Sequence, residues 1–161
     1  MSATTSPPIA PSAVVSPAAQ IGQNVRIGHF VVIHDGVRLA DNVVIESGAI
    51  LYENVSIGKN GRVGAQCILG ERQIGYLSDP NYINPPVRIG DEAIIRSGTI
   101  IYAGCSMGKG FQTGNRAMIR EESHFGDNCS FGAMAQSDGQ VKIGNNCRFH
   151  NNVFIATYTT I

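Results

Sequence analysis

Large apolar residues recur at every sixth position through nearly the whole chain, and that period leaves few folds open. One run reads Ile9, Val15, Ile21, Ile27, Ile33, Leu39, Ile45, Leu51, Ile57, Val63 and Leu69. A second run, in a new phase, begins at Ile89 and continues through Ile95, Ile101, Met107, Ile119, Phe125, Phe131, Ile143, Phe149, Ile155 and Ile161, with Thr113 and Ser137 in the same phase. Four places after each stands a mostly small or β-branched residue, such as Val31, Ala49, Cys67, Ala93, Thr99 and Cys105. Internal repeats outrank other sequence signals. A strict period of six fits neither the 3.6-residue turn of an amphipathic helix nor a long alternating strand. Short strands joined by tight corners satisfy it.

The corners are written into the same hexads. The second position favours Gly and the fourth favours Asn or Gly, as in Ile21-Gly22-Gln23-Asn24 and Ile143-Gly144-Asn145-Asn146. Asn and Gly tolerate the positive φ that a type II corner needs at one central residue. Three sides then close a triangular coil of eighteen residues, and strands of successive coils stack roughly 4.8 Å apart. The expected fold is all-β, a single solenoid over residues 9–161 after a flexible Ser/Thr/Pro-rich segment at 1–8. Between Leu69 and Ile89 the phase slips, and Tyr76, Tyr82, Pro80, Pro85 and Pro86 crowd a stretch that does not suit the interior. This predicts one loop insertion at about 70–88, and loops on a rigid scaffold commonly carry binding residues.

Composition narrows the function. Twelve basic and twelve acidic residues, without a basic block, give no electrostatic footprint for nucleic acid or an anionic membrane. The first residues lack the basic start and apolar stretch of a signal peptide, so a cytoplasmic location is expected. Cys67, Cys105, Cys129 and Cys147 all occupy small inward sites and read as reduced packing residues.

Residues eighteen apart become vertical neighbours, so the repeat turns sequence into surface columns. Ser97 lies under Asn115. Tyr102, Arg120 and Asp138 form a second column, in which Arg120 and Asp138 are expected to pair. Arg96, Gly114, Gly132 and His150 form a third, where two glycines are expected to leave open space. The stretch Phe111-Gln112-Thr113-Gly114-Asn115 breaks the inward pattern twice, with Phe111 at a small site and Thr113 at an aliphatic one. Violations inside a regular fold are where function is expected.

These hexads resemble the hexapeptide-repeat signature of left-handed parallel β-helix proteins over about residues 9–69 and 89–161. The left hand is taken from the resemblance, since the usual crossover rule favours the right. With Asn84-Pro85-Pro86, Ile89-Gly90-Asp91, Arg96-Ser97-Gly98-Thr99 and the 111–121 stretch, the chain resembles the family's acyltransferases that acetylate amino groups or hydroxyls of sugars, often nucleotide-linked ones. The resemblance implies acetyl-coenzyme A as donor, a sugar acceptor, no metal, and a groove between subunits of a homotrimer. Asn115, Glu121 and His150 are then the catalytic candidates, and Arg96, Ser97, Gln112, Thr113 and Arg120 the substrate-binding ones. Many relatives carry His where this chain has Asn115, and an amide takes no proton near neutral pH. Asn115 is therefore read as an orienting group or as a donor to the thioester oxygen, Glu121 as a holder of the amine, and Arg96 or Arg120 as a partner of an acceptor phosphate or carboxylate.

Two rival classes compete. His29 and His34 form an H-x4-H pair similar to that of gamma-class carbonic anhydrases, although a zinc site needs a third protein ligand. His124, read as a corner residue, lies several coils away. The other rival is a non-catalytic β-helix scaffold. The last residue, Ile161, is an inward position in mid-coil, so either further C-terminal coils, as in similar acyltransferases, or a partner over the open end is expected.

Overall fold

The computed structural model describes residues 8–161, and the segment expected to be flexible over 1–8 lies outside them apart from Pro8. The strands are mostly two residues long, one side chain turned out and one turned in, and they stack into three parallel sheets of eight, seven and seven strands. Face 1 runs from Val14–Val15 through Val32–Ile33, Ile50–Leu51, Ile68–Glu71, Ile100–Tyr102, Met118–Ile119 and Gln136–Ser137 to Phe154–Ile155. Face 2 begins at Gln20–Ile21 and face 3 at Arg26–Ile27. Away from the insertion each strand pairs with the one eighteen residues on, as in Ile33↔Leu51 and Leu39↔Ile57. The three-sided coil read from the period is the fold.

The corners form for the expected reason. Asn24, Asn42, Asn60, Asn128, Asn146 and Asn152, each fourth in its hexad, have φ between 55° and 61°. Their side chains also bond vertically, Asn24 to Asn42 at 3.2 Å and Asn42 to Asn60 at 3.1 Å. Val31, Val37, Val43, Leu51, Leu69 and Ile101 are sealed inside. Burying each such aliphatic side chain stabilises the coil by roughly 1.5–3 kcal/mol. In the later coils Phe111, Phe125, Phe131 and Phe149 replace aliphatics, with ring centroids 5.2–5.8 Å apart along the cluster. Phe111, in a small site, is fully buried, and the smaller Thr113 stands in the adjacent large site. One volume offsets the other.

The insertion leaves the stack continuous, with one local shift of register where Leu69 pairs Ile101 but Glu71 pairs Tyr102. Register steps from Ile57 to Ile89 and from Leu69 to Ile101 on either side of the loop. Its limits are tighter than 70–88, because the strand continues to Glu71 and the next begins at Val87. A short 3-10 turn, Ile74–Leu77, stands within it. Asn84 does enter the interior, where its amide donates to the Gly70 carbonyl at 2.8 Å. Among the described residues no helix is long and apolar enough to cross a membrane.

The outward positions of the three faces differ. Face 1 shows Val14, Val32, Ile50, Ile68, Ile100, Met118 and Phe154, interrupted only by Gln136. Face 3 shows Arg26, Arg62, Gln112, Ser130 and Arg148 beside Val44 and Ile94, and face 2 shows Gln20, Arg38, Ser56, Arg88, Ser106, His124 and Lys142. Val14 and Phe154 are exposed and the others half-buried, so face 1 carries an apolar stripe, a feature that interaction sites share.

Candidate functional site at two corners of the coil

The residues singled out in the sequence divide between the two corners that flank face 1. Arg96, Ser97, Asn115 and His150 stand at the corner between faces 3 and 1, with Gln112 and Thr113 on the strand that leads into it. Ser97 and Asn115 occupy adjacent coils as expected, since the Arg116 N–H donates to the Ser97 carbonyl at 3.0 Å. Arg96 Nε donates to Asn115 Oδ1 at 3.2 Å. That contact orients the amide and leaves Nδ2 as the outward donor.

Thr113 is buried and acts inside the wall. At equivalent positions Gly28 and Gly64 donate to the carbonyls of the next coil, Ile45 and Ile95, at 2.8 and 2.7 Å. The Arg96 N–H instead donates to Thr113 Oγ1 at 2.9 Å, and only Ile94↔Gln112 remains paired between these two strands. Thr99, also buried, shares a 3.2 Å bond with Thr113 and reaches the Gly114 carbonyl. The double break of pattern at 111 and 113 thus coincides with a local opening of the ladder under Arg96.

The glycine column is not an open space. A Cβ on Gly114 would lie 2.1 Å from the Ala133 nitrogen, and one on Gly132 would lie 2.4 Å from the His150 carbonyl carbon. These glycines are required because successive backbones pass too closely for a side chain. His150 is exposed above them, two coils from Gly114, or about 10 Å at the usual strand spacing. The corner also holds a side-chain bond in place of bare backbone, Asn151 Oδ1 accepting from the Ala133 N–H at 2.9 Å.

Arg120 and Glu121 stand at the opposite corner, between faces 1 and 2. The expected Arg120–Asp138 pair does not form. Arg120 makes a two-pronged bond with Glu121, Nε to Oε2 and Nη2 to Oε1, both at 2.9 Å, because a planar guanidinium matches a carboxylate edge-on. Its cation rests 5.4 Å from the Tyr102 ring centre, which bears out that part of the column. Burial pushes the Glu121 carboxyl up, yet the Arg120 bond and its backbone hydrogen bond together outweigh this and hold it below the usual range. Arg120, Glu121, Asp138, Gly139 and Gln140 line a cavity of about 320 Å³.

A denser cluster at the same corner was not singled out in the sequence. The Arg72 guanidinium lies between the Tyr52 and Tyr76 rings, 5.0 and 5.8 Å from their centres, and donates to Glu53 Oε1 at 2.7 Å. His34 stacks on the other side of Tyr52 at 5.1 Å, with Nδ1 3.7 Å from Glu53. Burial raises the Glu53 carboxyl, but its backbone hydrogen bond and Arg72 outweigh that and keep it ionised below the normal range. Eighteen-residue arithmetic exposes the cluster, since His34, Tyr52 and Gly70 share one column and the loop leaves the coil there. Gln73 ties the loop to the Arg120 region through the Ala103 carbonyl and Glu122.

The other candidates are dispersed. His29 bonds Ser12 at the corner between faces 3 and 1, whereas His34 lies at the far end of the same strand. His124 is a strand residue on face 2, not a corner residue, bonded to Ser106 at 2.8 Å. Among the described residues no three His, Cys, Asp or Glu side chains are arranged to hold a metal ion. The cysteines are free, and burial pushes the thiols of Cys67 and Cys105 up to about 11 and about 12.

Comparison with known proteins bears on the fold. The family models described as bacterial transferase hexapeptide (six repeats) and hexapeptide repeat of succinyl-transferase match residues 18–52 and 125–156. No curated protein matches in sequence. Among solved structures, the chain is similar to the UDP-N-acetylglucosamine acyltransferase of Francisella novicida, with 18% identity and a TM-score of 0.58 over 91% of this chain and 62% of that one. It is also similar to the corresponding enzymes of Bacteroides fragilis, at 22% identity and TM-score 0.48 over 94% and 70%, and of Campylobacter jejuni, at 19% and 0.49 over 84% and 66%. The chain therefore spans about two thirds of the length of these proteins.

Proposed function

Because the chain is a hexapeptide-repeat protein of the left-handed parallel β-helix class, we propose that it is an acyltransferase. In this reading it moves an acetyl group from coenzyme A to an amino group or hydroxyl of a sugar, nucleotide-linked in the fullest form of the reading. The observation that carries it is the apolar outward ladder of face 1, flanked by one polar cluster at each corner. Asn115 and Glu121 are separated by a whole side of the triangle, six residues of chain or at most about 20 Å. In this reading they serve one acceptor from neighbouring copies, because they stand at opposite ends of one side of the triangle. In a cyclic homotrimer each subunit meets its neighbour head to tail, so one corner of the first faces the other corner of the second. Covering face 1 in this way brings Arg96, Asn115 and His150 of one copy opposite Arg120 and Glu121 of the next.

The chemistry asked of these groups is modest. An acceptor amine, already neutral, attacks the thioester carbonyl, forming a carbon–nitrogen bond while the carbon–sulfur bond breaks. The amine proton leaves to solvent, with the exposed His150 two coils above as its onward acceptor, and the coenzyme A thiolate departs. Asn115 Nδ2, presented outward by Arg96, donates to the developing oxyanion, a group whose stabilisation is commonly the largest catalytic term. Glu121 keeps a lone pair on each oxygen beside Arg120 and holds the amine, while Arg96, Ser97 and Gln112 position the acceptor. Thr113 acts from within the wall by fixing Arg96. No metal enters the scheme, and a coenzyme A donor accords with the cytoplasmic location expected from the sequence. The Francisella protein of the same fold is a UDP-N-acetylglucosamine acyltransferase, which accords with the reading. The test is release of free coenzyme A thiol from acetyl-coenzyme A across a panel of amino sugars and their nucleotide-linked forms. Turnover that falls in Asn115→Ala supports the reading, and no thiol release with any acceptor contradicts it.

A further inference from the structure

Among the described residues, apart from Ile9 and Ile161 at the two ends, every large apolar side chain left exposed lies on face 1 or on a corner that flanks it. Phe30 and Met134 stand at the corner between faces 3 and 1, 72% and 51% exposed. Tyr158 stands at the corner between faces 1 and 2, and the loop that leaves this corner carries Ile74, Leu77 and Ile83, each at least 67% exposed. Phe30, Met134 and Tyr158 also have positive φ, at 57°, 54° and 64°. A left-handed backbone crowds the Cβ, so a bulky side chain in this conformation gains the coil nothing. The equivalent position at the third corner, between faces 2 and 3, holds Asn, Glu or Gly, as in Asn42, Glu92 and Gly110. The coil's own stability does not account for apolar residues there, and their confinement to the flanks of one face points to a surface that covers it.

We infer that these side chains are the knobs of a head-to-tail interface between copies, in which Phe30 and Met134 of one copy pack against the loop tip and Tyr158 of the next. The occupant is a second copy because the two sets match. Phe30 and Met134 are five coils apart, about 24 Å at the usual strand spacing. The bonds from Arg72 to Glu53 and from Asn54 to Asn84 hold the loop against the coil of Glu53 and Asn54, which is also five coils from Tyr158. The two sets thus share one length and are displaced in the same direction by one coil, a step of about 4.8 Å that side chains of this size span. In a cyclic assembly each copy offers one corner to one neighbour and the other corner to the second, as unlike but complementary sets require. The loop tip is presented before association, since Tyr82 donates to Asn84 Oδ1 at 2.8 Å and Asn84 holds the Gly70 carbonyl, so little order has to be gained on docking. This inference rests on the head-to-tail covering of face 1 in the acyltransferase reading, and it adds the side chains that set its register.

Light scattering of the full chain on a sizing column tests the inference, with an expected mass three times that of the 17.1 kDa chain. Phe30→Asn installs the residue that other coils use at this φ, so the variant should keep the wild-type circular dichroism spectrum while the interface loses a knob. Leu77→Ser combined with Ile83→Ser removes the opposing surface. Each variant should dissociate at a subunit concentration at least about tenfold higher than the wild type, since tenfold is about 1.4 kcal/mol and a buried Phe or Leu contributes more. The pairing itself is read from a chain carrying both Phe30→Cys and Leu77→Cys, which should oxidise to a disulfide-closed trimer, whereas neither single substitution should. A monomeric wild-type chain, undiminished association of Phe30→Asn, or a doubly substituted chain that closes no trimer overturns the inference. A trimer indifferent to Phe30→Asn that transfers acetyl keeps the acyltransferase reading and loses this one. A trimer held by Phe30 and Leu77 that transfers none does the reverse.

Discussion

Two hydroxyls occupy inward positions meant for large apolar side chains, and their removal should act with opposite sign. Thr113 is 5% exposed, and its oxygen accepts the Arg96 N–H at 2.9 Å in place of a ladder carbonyl. Thr113→Val keeps the shape but strands that N–H and one arm of Thr99. An unpaired buried donor costs about 1–3 kcal/mol. In a chain of this length each kcal/mol moves the thermal midpoint by about 2–4 °C, so a fall of roughly 2–12 °C is expected. Ser137 is 1% exposed and its hydroxyl has no partner, hence Ser137→Ala removes a desolvated group without breaking a bond. Its midpoint should stay level or rise by up to about 4 °C. Circular dichroism melts of both variants against the wild type decide the matter. If Thr113→Val melts at or above the wild-type midpoint, the ladder closes without the hydroxyl and Thr113 does not brace the corner.

Gly132→Ala should disrupt stacking of the coils, because its Cβ would meet the His150 backbone at 2.4 Å, whereas Gly75→Ala, with nothing within 4 Å, should melt as the wild type. Limited proteolysis of the two variants separates them. Glu53 has a depressed pKa in the folded chain, so its contribution is fully present above its ordinary value of 4.5 and is lost as pH falls through the folded value. Urea midpoints of wild type and Glu53→Gln should therefore differ at pH 7 and converge toward pH 3, while a constant gap would deny the pairing with Arg72. Thiol titration of the native chain should modify the partly exposed Cys147 ahead of Cys67, Cys105 and Cys129, which react only on unfolding. Rapid native modification of Cys105 would contradict its burial.

The solenoid was legible because each of its forces acts within one hexad: inward Ile or Leu, a small residue opposite, and Asn at positive φ. The loop was legible as a break in phase, although its limits tightened to 72–86 once Gly70 and Glu71 proved to continue a strand. Column arithmetic placed Tyr102 beside Arg120 but missed the Arg120–Glu121 pair, since it ranks vertical neighbours and ignores side chains of one corner that bend toward each other. It read Gly114 and Gly132 as vacancy when close backbones require them. The Glu53–Arg72–Tyr52 cluster escaped because Arg72 lies in the loop, outside any column, and reaches Glu53 only through the loop's own fold. The division of the site residues between two corners was implicit in their spacing, and in the proposed reading the apolar outward ladder of face 1 gives that division a purpose.

The central claim is that one site is shared by two copies, and mixed assemblies test it directly. Asn115→Ala and Glu121→Ala chains, each nearly inactive alone, are unfolded together, refolded at equal ratio and assayed for acetyl transfer. Random assembly of head-to-tail trimers makes about one interface in four intact, so activity near a quarter of the wild type is predicted. Activity no greater than the sum of the two separate variants would contradict a site built across the interface.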